Sequence, residues 1–136
     1  LAASRQGTLV ACSSLAVAVG GAEFIFESIA EDLAAKQALF GELEALTGPE
    51  AVLCTNTSSL SVATIAQGCA RAMAAHFIGP AHLVPLVEIC PSPGTPEATV
   101  ARVQRFLSSI GKQPVVLKRE IEGFIAARLQ AALYRE

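Results

Sequence analysis

Charge is scarce in this chain. Only 16% of its 136 residues are Asp, Glu, Lys or Arg, against 52% hydrophobic, and the formal net charge is −2. The isoelectric point lies near 5.7 and the Lys and Arg residues are scattered, so there is no basic field for a nucleic-acid backbone, and nucleic acid is not an expected partner. Long apolar runs are missing too. Glu23, Glu27, Glu31, Lys36 and their successors break every stretch before it reaches the roughly 18 residues of a membrane span, and a soluble protein is expected. Cys12, Cys54, Cys69 and Cys90 form no CxxC pair. Three of them, Cys12, Cys54 and Cys90, fall in strand-like apolar runs, where free thiols pack as small hydrophobes. That usage suits a reducing cytoplasm or organelle matrix, and a cytoplasmic location is expected. No basic segment followed by a cleavable apolar core opens the chain, and a first residue of Leu1 instead of Met hints that Leu1 is not a natural start. No internal repeat or low-complexity tract is visible.

What is present is enough for one core-bearing domain. A mean hydropathy of +0.50 marks some surface as wanting a partner. Short apolar runs alternate with amphipathic segments, the pattern of an α/β protein. Strands are expected at TLVAC (8–12), EFIFE (23–27), AVLCT (51–55), MAAHF (73–77), LVEIC (86–90) and QPVVLK (113–118). Helical stretches are expected near 13–19, ending at Gly20-Gly21, and after the NTSS turn as far as about 67.

A longer helix is expected over 31–46, with Glu31 and Asp32 at its start and Thr47-Gly48-Pro49 as its stop. Leu33, Ala35, Leu39, Phe40, Leu43 and Leu46 would form its buried stripe. Another helix runs from Thr95-Pro96 to about Ile110, with Gly111 as C-cap. A last one runs from about 122 to the end. This alternation implies a mostly parallel, doubly wound sheet with helices on its faces.

In such sheets chemistry gathers at the C-terminal ends of strands. Three polar sets fall there: Glu27-Ser28 through Glu31, Asn56-Thr57-Ser58-Ser59, and His76. NTSS equally suits an ordinary strand-to-helix junction, whose Asn and Ser side chains cap the next helix. His76 equally suits a satisfied core histidine. Glu88, flanked by Leu86, Val87 and Ile89, is costly to bury without a partner. A histidine beside it would have its tautomer fixed and its outer nitrogen freed to take a proton from a hydroxyl. His82, in a loop before Pro85, reads as exposed.

The segments FIFESIAEDLAAKQALFGELE, TNTSSLS, AHFIGPAHLVPLVEI and IGKQPVVLKREIEGFIAARL occur in the order and approximate spacing of the 3-hydroxyacyl-CoA dehydrogenase family, which the chain resembles from about Leu15 onward. KREIEGFIAARLQAAL and VEICPSPGTPEATV look most like the lambda-crystallin branch, which includes an L-gulonate 3-dehydrogenase, whereas TNTSSL looks like the acyl-CoA enzymes. The resemblance implies an NAD-dependent oxidoreductase that oxidises the 3-hydroxyl of a 3-hydroxyacyl-CoA or 3-hydroxy acid, a small-molecule substrate. It implies catalytic roles for His76 as general base, Glu88 as its orienting carboxylate and Ser58 as the contact to the substrate hydroxyl. Ser28, Glu31, Lys36 and Asn56 would border the nicotinamide half of NAD. A homodimer is implied for the full-length protein, and no metal.

The departures from the family pattern are specific. HFFNP carries an asparagine where this chain has Gly79, and GFIxNR carries one where it has Ala127. The interval from Ser58 to His76 is also shorter than the family's. No GxGxxG opens a helix after a strand, since Gly20-Gly21 precedes one. Residues 1–119 therefore read as the later portion of an NAD-binding Rossmann-like domain without its first strand–helix–strand unit, which holds the pyrophosphate. On this reading the chain alone binds NAD poorly. Residues 120–136 read as the start of a helical domain. A truncated or diverged, non-catalytic homologue with a crystallin-like structural role is the alternative, which Gly79 and Ala127 favour.

Overall fold

A computed structural model of the chain describes residues 7–135. Five strands form one sheet in sequential order: β1 (Phe24–Glu27), β2 (Val52–Thr55), β3 (Ala72–Phe77), β4 (Leu86–Pro91) and β5 (Gln113–Val116). All neighbours are parallel except β3 and β4, which run antiparallel with His76 opposite Glu88. The parallel crossovers are made by helices α2 (Leu33–Leu46), α3 (Val62–Ala66) and α4 (Glu97–Ser109), while α1 (Leu15–Val19) precedes the sheet and α5 (Ala126–Leu133) follows it. The expected mostly parallel, doubly wound α/β architecture is what the chain adopts.

Alternation along the strands divides the core in two. Val52, Cys54, Met73, Ala75, Val87 and Ile89 face α4, whose Val100, Val103 and Leu107 stand on one stripe at helical spacing. Leu53 and Ala72 face the other way, onto Phe40 and Leu43 of α2 and Ile65 of α3. On that same side Ala74 and Cys90 pack with Val62, Leu117 and Phe124. The C-terminal segment is thus pinned to the sheet by a buried phenylalanine before α5 begins.

Four expectations need correction. TLVAC (8–12) is not a strand: Leu9 and Val10 are exposed and pair with nothing in the sheet. A short apolar run becomes a strand only where a partner accepts its main-chain bonds, and here β1 bonds only to β2. Cys12 is accordingly exposed, while Cys54, Cys69 and Cys90 are the buried thiols.

The helix expected from 31 begins at Leu33, because the Asp32 side chain caps Ala35 N–H and leaves Glu31 outside. Its buried residues are Lys36, Phe40 and Leu43, and Ala35 and Leu46 face solvent. The helix expected from about 122 begins only at Ala126, because Gly123 (φ 73°) and Phe124 (φ 47°) are left-handed and turn the chain first. The expected stop of α4 does hold, with Gly111 at φ 83° just past its last turn. The reading of Leu1 lies outside the described residues. Among the described residues no helix is long and apolar enough to cross a membrane.

Candidate active site

Side chains at alternate strand positions share a face. Ile25, Leu53 and Ala74 point to the side covered by α2, α3 and the C-terminal segment, so Glu27, Thr55 and His76, two residues on in each strand, point there as well. Glu88, two before Cys90 on β4, joins them. Four polar groups therefore line one face at the C-terminal ends of β1, β2 and β3, where the loops leave a crevice.

Two networks organise them. In the first, His76 Nδ1 lies 2.9 Å from Glu88 Oε2. The carboxylate is almost fully buried (1% exposed) and the ring slightly open (12%). The other carboxylate oxygen, Oε1, accepts the N–H groups of Ile125 at 2.8 Å and Ala126 at 3.0 Å. Glu88 thus answers the burial problem posed by its sequence context with three partners. It fixes His76 and holds the N-terminus of α5, where a carboxylate also meets the positive end of the helix dipole. His76 Nε2 has no protein partner among the described residues. Among the described residues no side-chain polar atom is buried without a bond, so Nε2 is left facing the opening.

The second network is buried beneath the NTSS turn. Glu27 Oε1 accepts from Lys36 Nζ at 2.7 Å and from Ile29 N–H at 2.7 Å, and its Oε2 accepts from the Thr55 hydroxyl at 2.7 Å. Lys36 Nζ reaches Glu31 Oε2 at 3.4 Å. Glu31 Oε1 accepts the Thr57 hydroxyl at 2.5 Å, Ser58 N–H at 3.1 Å and Ser59 N–H at 3.3 Å. Burial alone would raise the Glu31 carboxyl. The Thr57 hydroxyl, Ser58 N–H, Lys36 ammonium and Ser59 N–H together outweigh it and hold the group below its ordinary range.

The expected site residues separate into groups. His76 and Ser58 line one cleft of about 680 Å³, together with Gly79 and Ala127. Both positions at which the resemblance leads one to expect asparagine therefore open on the same space as the His–Glu pair. An added Cβ at Gly79 would meet nothing within 4 Å. Glu31 and Asn56 stand at the strand ends beside Ser58, and Ser28 is exposed. Lys36 is buried behind them with its ammonium between two carboxylates.

Thr55 was not expected at the site, and Glu27 and Thr57, which fall in two of the polar sets at the strand ends, were given no individual role. Their signal was faint: a carboxylate ending an apolar strand, and a lysine four and seven residues before Phe40 and Leu43 on the buried stripe of α2. A smaller cleft of about 360 Å³ at the opposite ends of β2 and β3 is lined by Arg71 and Arg102. Both guanidinium groups there are engaged by main-chain carbonyls, those of Ala51 and Glu50.

The sequence model of the family described as 3-hydroxyacyl-CoA dehydrogenase, NAD binding domain, matches residues 2–121. The chain belongs to that family. The chain is 36% identical to the lambda-crystallin homolog of Mus musculus over 140 aligned residues, covering all of this chain and 44% of that protein. It is 38% identical to the L-carnitine dehydrogenase of Streptomyces coelicolor, covering 94% of this chain and 41% of the relative. Among solved structures, 3-hydroxybutyryl-CoA dehydrogenase from Escherichia coli K12 superposes with a TM-score of 0.80 at 30% identity, over 91% of this chain and 28% of that one. The chain thus spans less than half the length of each. The fold is that of the Rossmann-type dehydrogenases, and NAD is the cofactor of this family.

The residues present fit the nicotinamide end of NAD. Exposed hydroxyls at Ser58 and Ser59, the Asn56 amide and the Glu31 carboxylate, more than a third exposed, offer donors and acceptors of the kind a ribose and a carboxamide require.

Proposed function

We propose that this chain carries the catalytic pair of an NAD-dependent dehydrogenase acting on the 3-hydroxyl of a 3-hydroxyacyl-CoA or 3-hydroxy acid. The observation that carries the reading is the His76–Glu88 contact of 2.9 Å, with the free ring nitrogen on the cleft that Ser58 also lines. With Nδ1–H donating to Glu88, Nε2 is the lone-pair nitrogen and takes the proton of the substrate hydroxyl. Glu88 stabilises the imidazolium that results. The Ser58 hydroxyl donates to the same substrate oxygen and orients it. When bound, NAD supplies the two-electron acceptor. Ser28, Glu31 and Asn56 border its nicotinamide riboside half, and Lys36 serves that half by holding Glu31 in place.

A non-catalytic, crystallin-like role is the second reading. It is favoured by Gly79 and Ala127, whose lack of polar side chains removes hydrogen bonds worth about 1–3 kcal/mol each to substrate or transition state. We further propose that α5 begins a helical domain after residue 119 and that the full-length protein is a cytoplasmic homodimer. The exposed Leu129 and Leu133 of α5, Tyr134 just past its end and the buried free thiols support this.

The deciding assay is run on the full-length protein, because the chain alone is expected to bind NAD poorly, and follows NADH absorbance with 3-hydroxybutyryl-CoA and L-carnitine as separate substrates. Turnover by the full-length wild type and its loss in His76→Gln are expected. A wild type without turnover on either favours the structural role, and an unimpaired His76→Gln refutes the base.

A further inference from the structure

The Asn56 side chain does something the cofactor reading does not require. Registered pairing of β2 with β3 ends at Thr55 opposite Ala74, and the chain then turns away into the serine-bearing loop. Phe77 N–H lies beyond that last pair, on the side of β3 facing β2, and the next main-chain carbonyl of the ladder is no longer there to receive it. Asn56 Oδ1 takes its place, accepting Phe77 N–H at 2.8 Å. Asn56 also donates its own N–H to Glu27 O at 2.8 Å. One residue therefore ties together the ends of β1, β2 and β3.

Its neighbours make this tie consequential. Phe77 directly follows His76, and Asn56 stands two residues before Ser58, whose N–H is in turn held by Glu31. The bond from Asn56 to Phe77 is the shortest hydrogen-bonded path between the base and the serine. His76 is fixed from its other side by Glu88 and Ser58 by Glu31, but neither of those contacts sets the distance between the two.

We propose that Asn56 is a positioning residue that sets the separation of Ser58 and His76 by completing the β2–β3 ladder with its side-chain carbonyl. The proposal rests on the reading of His76 and Ser58 as working partners, and adds to the cofactor contact a role that the carbonyl oxygen alone performs. The two halves of the amide can be separated. Asn56→Asp keeps an acceptor for Phe77 N–H and removes the amide donor, whereas Asn56→Leu keeps the size and removes both.

In the ¹⁵N-labelled chain, Phe77 N–H is expected to exchange with solvent about tenfold faster in Asn56→Leu than in the wild type, with Asn56→Asp remaining protected. The His76 ring resonances should move in the leucine variant only. In the dehydrogenase assay, Asn56→Leu should lose kcat, and Asn56→Asp should keep most of it while its KM for NAD rises. Unchanged Phe77 exchange in Asn56→Leu overturns the proposal, and so does an equal loss of kcat in both variants. A full-length wild type without turnover would end the functional reading, yet the exchange comparison in the chain itself would still decide whether Asn56 holds Phe77.

Discussion

Replacing Glu88 by glutamine tests the site at the group where structure and chemistry meet. The carboxylate receives three donors, two main-chain N–H groups on Oε1 and His76 Nδ1–H on Oε2. The amide can satisfy only one side. Keeping its oxygen on Ile125 and Ala126 preserves two bonds at the expense of one, so its NH2 turns toward His76 and the ring must present Nδ1 as an acceptor. Nε2 then carries the hydrogen and no longer takes a proton.

Bonds to a charged group contribute about 1.5–3 kcal/mol each and neutral ones about 0.5–1.5, so weakening two and reversing one should destabilise the fold by about 2–4 kcal/mol. Loss of the base should lower kcat by about 10²–10⁴-fold. Long-range ¹⁵N–¹H correlation of the His76 ring reads the tautomer, and urea unfolding followed by circular dichroism reads the stability. A variant in which Nδ1 stays protonated, with an unchanged unfolding midpoint, would show that Glu88 neither orients the ring nor anchors α5.

Other consequences are equally open to measurement. Lys36→Met strands the Glu27 carboxylate in the core and should cost about 3–5 kcal/mol in urea unfolding, most of it recovered by adding Glu27→Gln; a change below 1 kcal/mol would deny the ion pair its role. The Glu31 carboxyl is held below its ordinary value, 4.5 in an unstructured chain, so its contribution is complete above that pH and is lost as the pH falls through the lower folded value. The acid side of the stability curve should therefore be shallower in Glu31→Gln, and superimposable curves would contradict this. Burial pushes the Cys54 and Cys90 thiols up to about 12, and iodoacetamide at pH 8 should label only Cys12 in the folded chain, as peptide mass mapping would reveal. Ala127→Asn introduces a polar group into the cleft and should raise kcat if the site is merely weakened; unchanged kinetics would favour the structural role.

Local pattern was enough for most of the architecture, whereas the pairing of His76 with Glu88 as base and orienting carboxylate came from the family resemblance. The i, i+3, i+7 stripe of α4, the stop at Gly111 and the apolar strands around Glu88 are consequences of neighbouring residues, and they stand where periodicity puts them. TLVAC failed because pairing is a property of two strands. Its apolar run is as good as that of FIFE, but FIFE has β2 beside it. The late start of α5 depended on Gly123 and Phe124 turning left-handed so that Ile125 and Ala126 N–H reach a carboxylate on a different element.

Lys36 marks the same boundary most clearly. The sequence by itself determined that it lies on one helical stripe with Phe40 and Leu43. Only the tertiary structure decided that the stripe is buried against β1, where Glu27 waits at 2.7 Å. A charge placed in the core survives solely because its counter-charge arrives there too, and that meeting depends on how α2 packs across the sheet.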